Sequence, residues 1–74
     1  MERNKISTER IGQNFKKLLK KEGLTYEKFA ELMPCNSRTV GRWVQNGIDD
    51  VRIILRIAEI FQIEVEDIMF SNED

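Results

Sequence analysis

Apolar residues recur at the spacing of an α-helix along nearly the whole chain of 74 residues, and helix-breaking residues divide this pattern into short segments. The first segment shows the pattern clearly, because one helical face would carry Ile11, Phe15, Leu18 and Leu19. No strand signal competes with this helical pattern. The sequence therefore predicts an all-α fold, a compact bundle of five short helices.

Residues that start and stop helices indicate where each helix lies. The first helix is expected to begin at Ser7 or Thr8 and to end at Gly23. Pro34 is expected to stop the second helix, because a proline cannot donate a backbone hydrogen bond to the preceding turn. The other predicted boundaries are N-caps at Thr25, Asn36 and Asp50, a terminator at Asn46-Gly47, and a last short helix from Val65 to Phe70.

The apolar positions of these helices give the predicted core. The residues expected to be buried are Leu24, Phe29, Met33, Ile54, Ala58, Phe61 and Ile63. The apolar face of the fourth helix is predicted to consist of Val51, Ile54, Leu55, Ala58 and Phe61. Ile53, Ile57 and Ile60 lie elsewhere on that helix, and a domain this small cannot bury apolar residues all round one helix. Some of them are therefore expected to face a partner.

Length and composition limit the kinds of chemistry available. The chain is predicted to form one domain over residues 1–74, with short flexible ends at about 1–6 and 71–74. It contains no histidine and a single cysteine, Cys35, which excludes His-based triads and His-ligated zinc. We therefore expect neither an enzyme nor a cofactor or metal. Cys35 is expected to pack as a small apolar residue, with a redox switch as the alternative.

Charge is distributed unevenly along the chain, although the net charge is only −1. Residues 1–45 contain ten basic and five acidic residues, a net charge of +5, whereas residues 46–74 contain two and eight, a net charge of −6. A basic half of the chain can bind phosphate while an acidic half limits indiscriminate binding. The alternative is that both halves are ordinary solvated surfaces.

About three residues join the second and third helices, which favours a helix-turn-helix. The segments resemble, in sequence and in order, the DNA-binding domain of lambda repressor and Cro, the XRE family, over roughly residues 11–69. Phe29-Ala30 is similar to the step at which a small residue lets two helices approach. Arg38 to Trp43 is similar to the family's recognition helix, with Val40 and Trp43 facing inward. The resemblance implies that these two helices form a helix-turn-helix.

Four departures from the family pattern accompany this resemblance. Tyr26 stands where the family often has glutamine, and the ending Asn46-Gly47 comes one residue later than usual. Pro34 stands where the family usually has glycine, so the turn is expected to suit a φ of about −65°. Gln62 replaces the glycine expected after the fourth helix.

The resemblance implies a sequence-specific transcriptional regulator of double-stranded DNA, expected to be a repressor, whose third helix lies in the major groove. The residues then expected to contact bases are Asn36, Ser37, Arg38, Gly41 and Arg42, since an arginine fork matches guanine O6 and N7. The residues expected to contact phosphate are Thr25, Tyr26, Lys28, Asn46 and Gly47. The alternatives are that Gly41 merely fits tight packing and that the arginines are ordinary surface charges.

Two kinds of partner follow from this interpretation. A homodimer through Ile60, Met69 and Phe70 is one prediction, because the family binds paired half-sites. The alternative function is an antitoxin-like or adaptor module that mainly binds another protein and binds DNA weakly. The sequence has neither a membrane-spanning run nor a signal-peptide core, so we expect a cytoplasmic protein, bacterial or phage-encoded and associated with the nucleoid.

Overall fold

The computed structural model describes residues 8–70. This part of the chain folds into helices and contains no β-strand. The helices are α1 (Thr8–Glu22), α2 (Tyr26–Leu32), α3 (Ser37–Asn46), α4 (Val51–Phe61) and α5 (Val65–Met69). The prediction of an all-α bundle of five short helices is confirmed. The cap predicted at Ser7 and the flexible ends predicted at about 1–6 and 71–74 lie outside the described residues.

Polar side chains fix the starts of three helices. The predicted caps each accept a backbone hydrogen bond of 3.0 to 3.1 Å, and they are Thr25, Asn36 and Asp50. Such a bond satisfies one of the amides that a helix leaves unpaired at its first turn. At Asp50 the bond comes from the backbone N–H of Arg52, and it holds the pKa of the carboxyl below its usual value. All three predicted caps are confirmed.

Three helices end in the same hydrogen-bonded loop. In each, a residue of positive φ follows the helix, and the N–H of the next residue donates to the carbonyl five positions earlier at 2.9 to 3.0 Å. The residues of positive φ are Gly23 at 66°, Pro34 at 31° and Gln62 at 58°. The positions where Pro34 and Gln62 replace an expected glycine therefore have the left-handed conformation that glycine favours.

The turn at Pro34 differs from the prediction. Its φ of 31° lies far from the value of about −65° that the proline ring favours. The loop explains the difference, because the N–H of Cys35 reaches the carbonyl of Ala30, at 2.9 Å, only when the intervening residue turns left-handed. After α1, Gly23 adds a second bond to Lys20, but proline has no N–H to make the equivalent bond.

Aromatic rings occupy the centre of the bundle. Phe15 and Phe29 are fully buried with their ring centroids 5.1 Å apart, edge to face, and Phe29 stacks on Phe61 at 5.6 Å. The buried apolar residues are Ile11, Phe15, Leu19, Phe29, Ala30, Val40, Ile48, Ile54, Ile57, Ala58 and Ile68. The residues predicted as core all belong to this cluster or pack against it.

The predicted face of α4 is wrong at two positions. Val51 and Leu55 are exposed, at 61% and 51%, whereas Ile57 is fully buried. Apolar residues occur on every side of this helix, so periodicity alone cannot choose the buried face. The packing of α4 against the other helices determines the buried face, and Ile57 is buried together with Ile54 and Ala58.

Helix α1, at the start of the described chain, packs against α5 at its end. It also packs against α3. Asn14 is a buried polar residue on this helix, and its Nδ2 donates to the backbone carbonyl of Ile68 at 2.5 Å. This bond fixes α5 against α1 and satisfies a carbonyl near the end of α5 that the helix itself leaves unpaired.

Candidate nucleic-acid interface

One side of α3 is fixed to the core. Val40 is fully buried, and the half-buried Trp43 ring meets the Phe15 ring edge to face at a centroid distance of 6.2 Å. These are the two residues that the sequence placed on the inner side. Because both are held, α3 can neither rotate about its axis nor lift from α1 without opening the core.

Gly12 brings the backbone of α1 close to the end of α3. A Cβ at Gly12 would lie 2.5 Å from the carbonyl oxygen of Trp43 and 3.0 Å from the Cα of Gly47. No larger residue fits there without a shift of the backbone. Sequence analysis missed this role, and its only signal was a glycine within a strong helical pattern.

The opposite side of α3 carries two exposed arginines. Arg38 and Arg42 are one helical turn apart, so their side chains leave the helix on the same face. Within residues 8–70, neither guanidinium takes part in an ion pair. Ser37 and Gly41 lie on the same segment and are half-buried. Two forked hydrogen-bond donors therefore point into solvent from a helix whose other side is fixed.

Asn36 stands at the start of this helix as its cap. Its Oδ1 accepts the backbone N–H of Arg38 at 3.1 Å, so this oxygen already has a partner. The Nδ2 group of the same amide is the part that can donate to a ligand. Asn36 therefore positions the first turn of α3, including Arg38.

Tyr26 lies over the middle of α3. A Cβ at Gly41 would lie 3.5 and 3.6 Å from two carbon atoms of the Tyr26 ring, an ordinary van der Waals distance. This contact places the first turn of α2 beside the outer side of α3. The resemblance predicts that Thr25, Tyr26 and Lys28 contact phosphate, and all three are exposed at that first turn.

The other predicted phosphate contacts lie at the C-terminal end of α3. Asn46 is exposed, whereas Gly47 has a φ of 94° and its N–H donates to the carbonyl of Trp43 at 2.9 Å. A Cβ at Gly47 would collide with the backbone carbonyl of Thr8. Gly47 thus has a structural role in joining α3 to the start of α1, which sequence analysis did not predict.

Cys35 packs in the turn between α2 and α3. It is half-buried, lines a shallow groove with Met33, Trp43 and Ile53, and forms no disulfide. Burial raises the pKa of its thiol above the ordinary value, so less of the reactive thiolate is present at neutral pH. This environment favours the packing interpretation of Cys35 over a redox switch.

The residues predicted for a homodimer are Ile60 on α4, Met69 at the end of α5 and Phe70 directly after it. Ile60 is half-buried and lines a groove with Leu24 and Leu32, to which no residue of α5 contributes. Met69 is half-buried, and Phe70 is 52% exposed just beyond α5. Of these three residues, Phe70 offers the most apolar surface.

Three further observations concern ligands and relatives. Residues 8–70 contain no group of three or more cysteine or acidic side chains that could hold a metal ion. No helix in the same range is long and apolar enough to cross a membrane. Comparison of the chain with protein-family models, with curated proteins and with solved structures finds no match.

Proposed function

We propose that the protein is a sequence-specific regulator of transcription that binds double-stranded DNA, a repressor of the lambda repressor and Cro type (XRE family). In this proposal α2, the turn at residues 33–36 and α3 act as a helix-turn-helix. The observation that carries it is the pair Arg38 and Arg42, which project without ion-pair partners within residues 8–70 from the exposed side of a helix anchored by Val40 and Trp43.

The chemistry of this side suits the edges of base pairs. A guanidinium can donate two hydrogen bonds to O6 and N7 of guanine in the major groove, which distinguishes a G·C pair from the others. Arg38 and Arg42 are separated by one turn, so they can reach neighbouring positions of one DNA site. Ser37 and the Nδ2 of Asn36 add donors near the helix start. Gly41 has no side chain to hold the helix away from the bases.

Contacts to the DNA backbone would come from residues at both ends of this surface. Lys28 supplies a positive charge, and the hydroxyl groups of Thr25 and Tyr26 supply donors beside α3. Asn46 offers an amide donor at the other end, where Gly47 shapes the chain. These contacts would fix the position of α3 on the duplex without reading the sequence. We propose a non-enzymatic, cytoplasmic, nucleoid-associated role on the same grounds.

A second function rests on a different observation. Exposed apolar residues on α4 and after α5, Leu55 at 51% and Phe70 at 52%, favour binding of a protein. An antitoxin-like or adaptor module would use that surface and bind DNA weakly. It differs from the first proposal in requiring neither Arg38 nor Arg42.

The test begins by selecting bound sequences from a random duplex pool. Binding to the selected site and to a scrambled site is then measured at two salt concentrations. We expect Arg38→Ala to weaken binding to the selected site by about 1–3 kcal/mol, which is roughly 5- to 150-fold. Lys17→Ala is the matched control, because it removes one exposed positive charge from α1 and should alter affinity far less.

Two results would overturn the proposal. One is equal affinity for the selected and the scrambled duplex. The other is an equal effect of Arg38→Ala and Lys17→Ala, which would reduce the binding to nonspecific attraction between charges. A lack of DNA binding together with tight capture of a defined protein would favour the adaptor function.

A further inference from the structure

A groove with an apolar lining lies between the turn after α2, helix α3 and helix α4, and we name it the α3–α4 groove. Its volume of about 660 Å³ falls within the range of pockets that hold small organic molecules. The apolar side chains that line it are Met33, Cys35, Trp43 and Ile53, and all four are half-buried against the core. The core therefore fixes these side chains, while part of each stays open to a ligand.

Two arginines of α4 border the same groove. Arg52 and Arg56 are one helical turn apart, and they are the only basic residues in the acidic segment 46–74. Arg52 contacts Asp50 at 3.5 Å, but its side chain is still 88% exposed. Within residues 8–70, Arg56 is exposed and forms no ion pair. At least one guanidinium beside the apolar lining is therefore available to an anion.

Asp50 is the single carboxylate that lines this groove. Its Oδ1 already accepts the backbone N–H of Arg52 and contacts the guanidinium of the same residue. Two arginines against one carboxylate leave one net positive charge, and the hydroxyl of Thr39 adds a neutral donor. The groove at the junction of α4 and α5 is less suited to an anion, because Glu59 and Glu64 line it beside the same arginines.

We propose that the α3–α4 groove binds a small aromatic carboxylate, with the ring on the apolar side chains and the carboxylate at Arg56. A guanidinium matches a carboxylate in shape and charge, and contact of the ring with Trp43 and Ile53 removes apolar surface from water. A small anion without a ring would gain only an exposed ion pair, which is weak. The proposal does not depend on DNA binding, because neither Arg38 nor Arg42 lines the groove.

Titration of the full chain with phenylbutyrate, followed by heteronuclear NMR, tests this site. Trp43 is the only tryptophan, so the single indole N–H signal reports on the groove. We expect phenylbutyrate to shift this signal saturably, together with the backbone N–H signals of Cys35 and Ile53. Phenylbutyramide has the same ring without the charge and should bind about fivefold more weakly. Acetate has the charge without the ring and should cause no saturable shift at the same concentrations.

One substitution tests whether Arg56 binds the carboxylate. Arg56→Gln should weaken phenylbutyrate binding by about fivefold, to the affinity of phenylbutyramide, and leave phenylbutyramide binding unchanged. Lys17→Gln is the matched control, because it removes one exposed positive charge from α1, which does not line the groove. It should leave both affinities unchanged. Circular dichroism melts confirm that each variant is folded.

An indole signal that phenylbutyrate does not shift, even at tens of millimolar, overturns the proposal. So does equal binding of phenylbutyrate and phenylbutyramide, or an equal loss in Arg56→Gln and Lys17→Gln, since the carboxylate would then not be bound at Arg56. A shift that acetate reproduces would be nonspecific ion binding and would also overturn it. None of these outcomes bears on DNA binding, which the Arg38→Ala titration tests separately.

Discussion

The two sides of α3 are built in different ways. The inner side is specified by shape, since Gly12 admits the backbone of the last turn, Val40 is fully buried and Trp43 meets Phe15. The outer side is not packed against the core, and Arg38 and Arg42 extend from it into solvent. Stability should therefore depend on one side and recognition on the other. Substitutions on the two sides can separate these properties.

The largest effect is expected on the inner side. Gly12→Ala adds a Cβ that meets backbone atoms of Trp43 and Gly47, which cannot move aside as a side chain could. We expect a loss of about 2 kcal/mol of unfolding free energy, even after the gain in helix propensity, and a fall in Tm of about 10 °C. Gln13→Ala, at the exposed neighbouring position, is the control. Equal melting temperatures for both variants would show that the helices do not meet this closely.

The next effect is expected on the outer side and should concern specificity alone. Arg42→Lys keeps the positive charge but loses the planar fork, so discrimination between the selected and the scrambled site should fall by about tenfold. The salt dependence of binding and the Tm should stay unchanged. Titrations at several salt concentrations measure both quantities. A lysine variant that discriminates as well as the wild type would assign Arg42 to phosphate rather than to bases.

A smaller effect is expected at the turn that joins α2 to α3. Pro34 holds a φ of 31°, which glycine adopts without strain and which allows a glycine N–H to complete the loop. Pro34→Gly should therefore raise unfolding free energy by about 1 kcal/mol, although glycine adds entropy to the unfolded chain. Chemical denaturation measures the change, with Pro34→Ala as the comparison. A glycine variant less stable than the wild type would contradict this account of the turn.

The smallest effect is expected at Gly41, where one substitution should change both stability and DNA binding. A methyl group there meets the Tyr26 ring at an ordinary 3.5 Å, so Gly41→Ala should stabilise α3 by up to about 1 kcal/mol through helix propensity. In the proposed complex the same methyl would add bulk between Tyr26 and the two arginines of α3, and it should therefore weaken DNA binding. The Tm of this variant should therefore rise while its affinity for DNA falls. Unchanged affinity would favour the interpretation that Gly41 merely fits tight packing.

Local signals were sufficient for the helix boundaries. The predicted caps are Thr25, Asn36 and Asp50, and each accepts a hydrogen bond from a backbone N–H two or three residues further along the chain. Because a cap needs only these neighbouring residues, a short stretch of sequence is enough to predict it. The inner residues of α3 were predictable for the same reason, since Val40 and Trp43 share a face at helical spacing. The buried side of α3 therefore followed from the sequence.

Contacts between distant segments were not predictable in this way. Gly12 meets residues more than thirty positions away, and the buried side of α4 depends on which neighbours it packs against. Ile57 and Leu55 are equally apolar, so only packing places one inside and the other outside. The φ of Pro34 differs from the value predicted from its ring, because the hydrogen-bonded loop after α2 determines the angle.

The bond from Asn14 to the carbonyl of Ile68 has a consequence for how the protein is made. It joins positions 54 residues apart, so the face of α1 that receives α5 stays open until synthesis has passed Ile68. A chain that stops before Ile68 leaves the amide of Asn14 without this partner and the α5-facing side of α1 uncovered, so proteases should cleave it more readily than the folded domain.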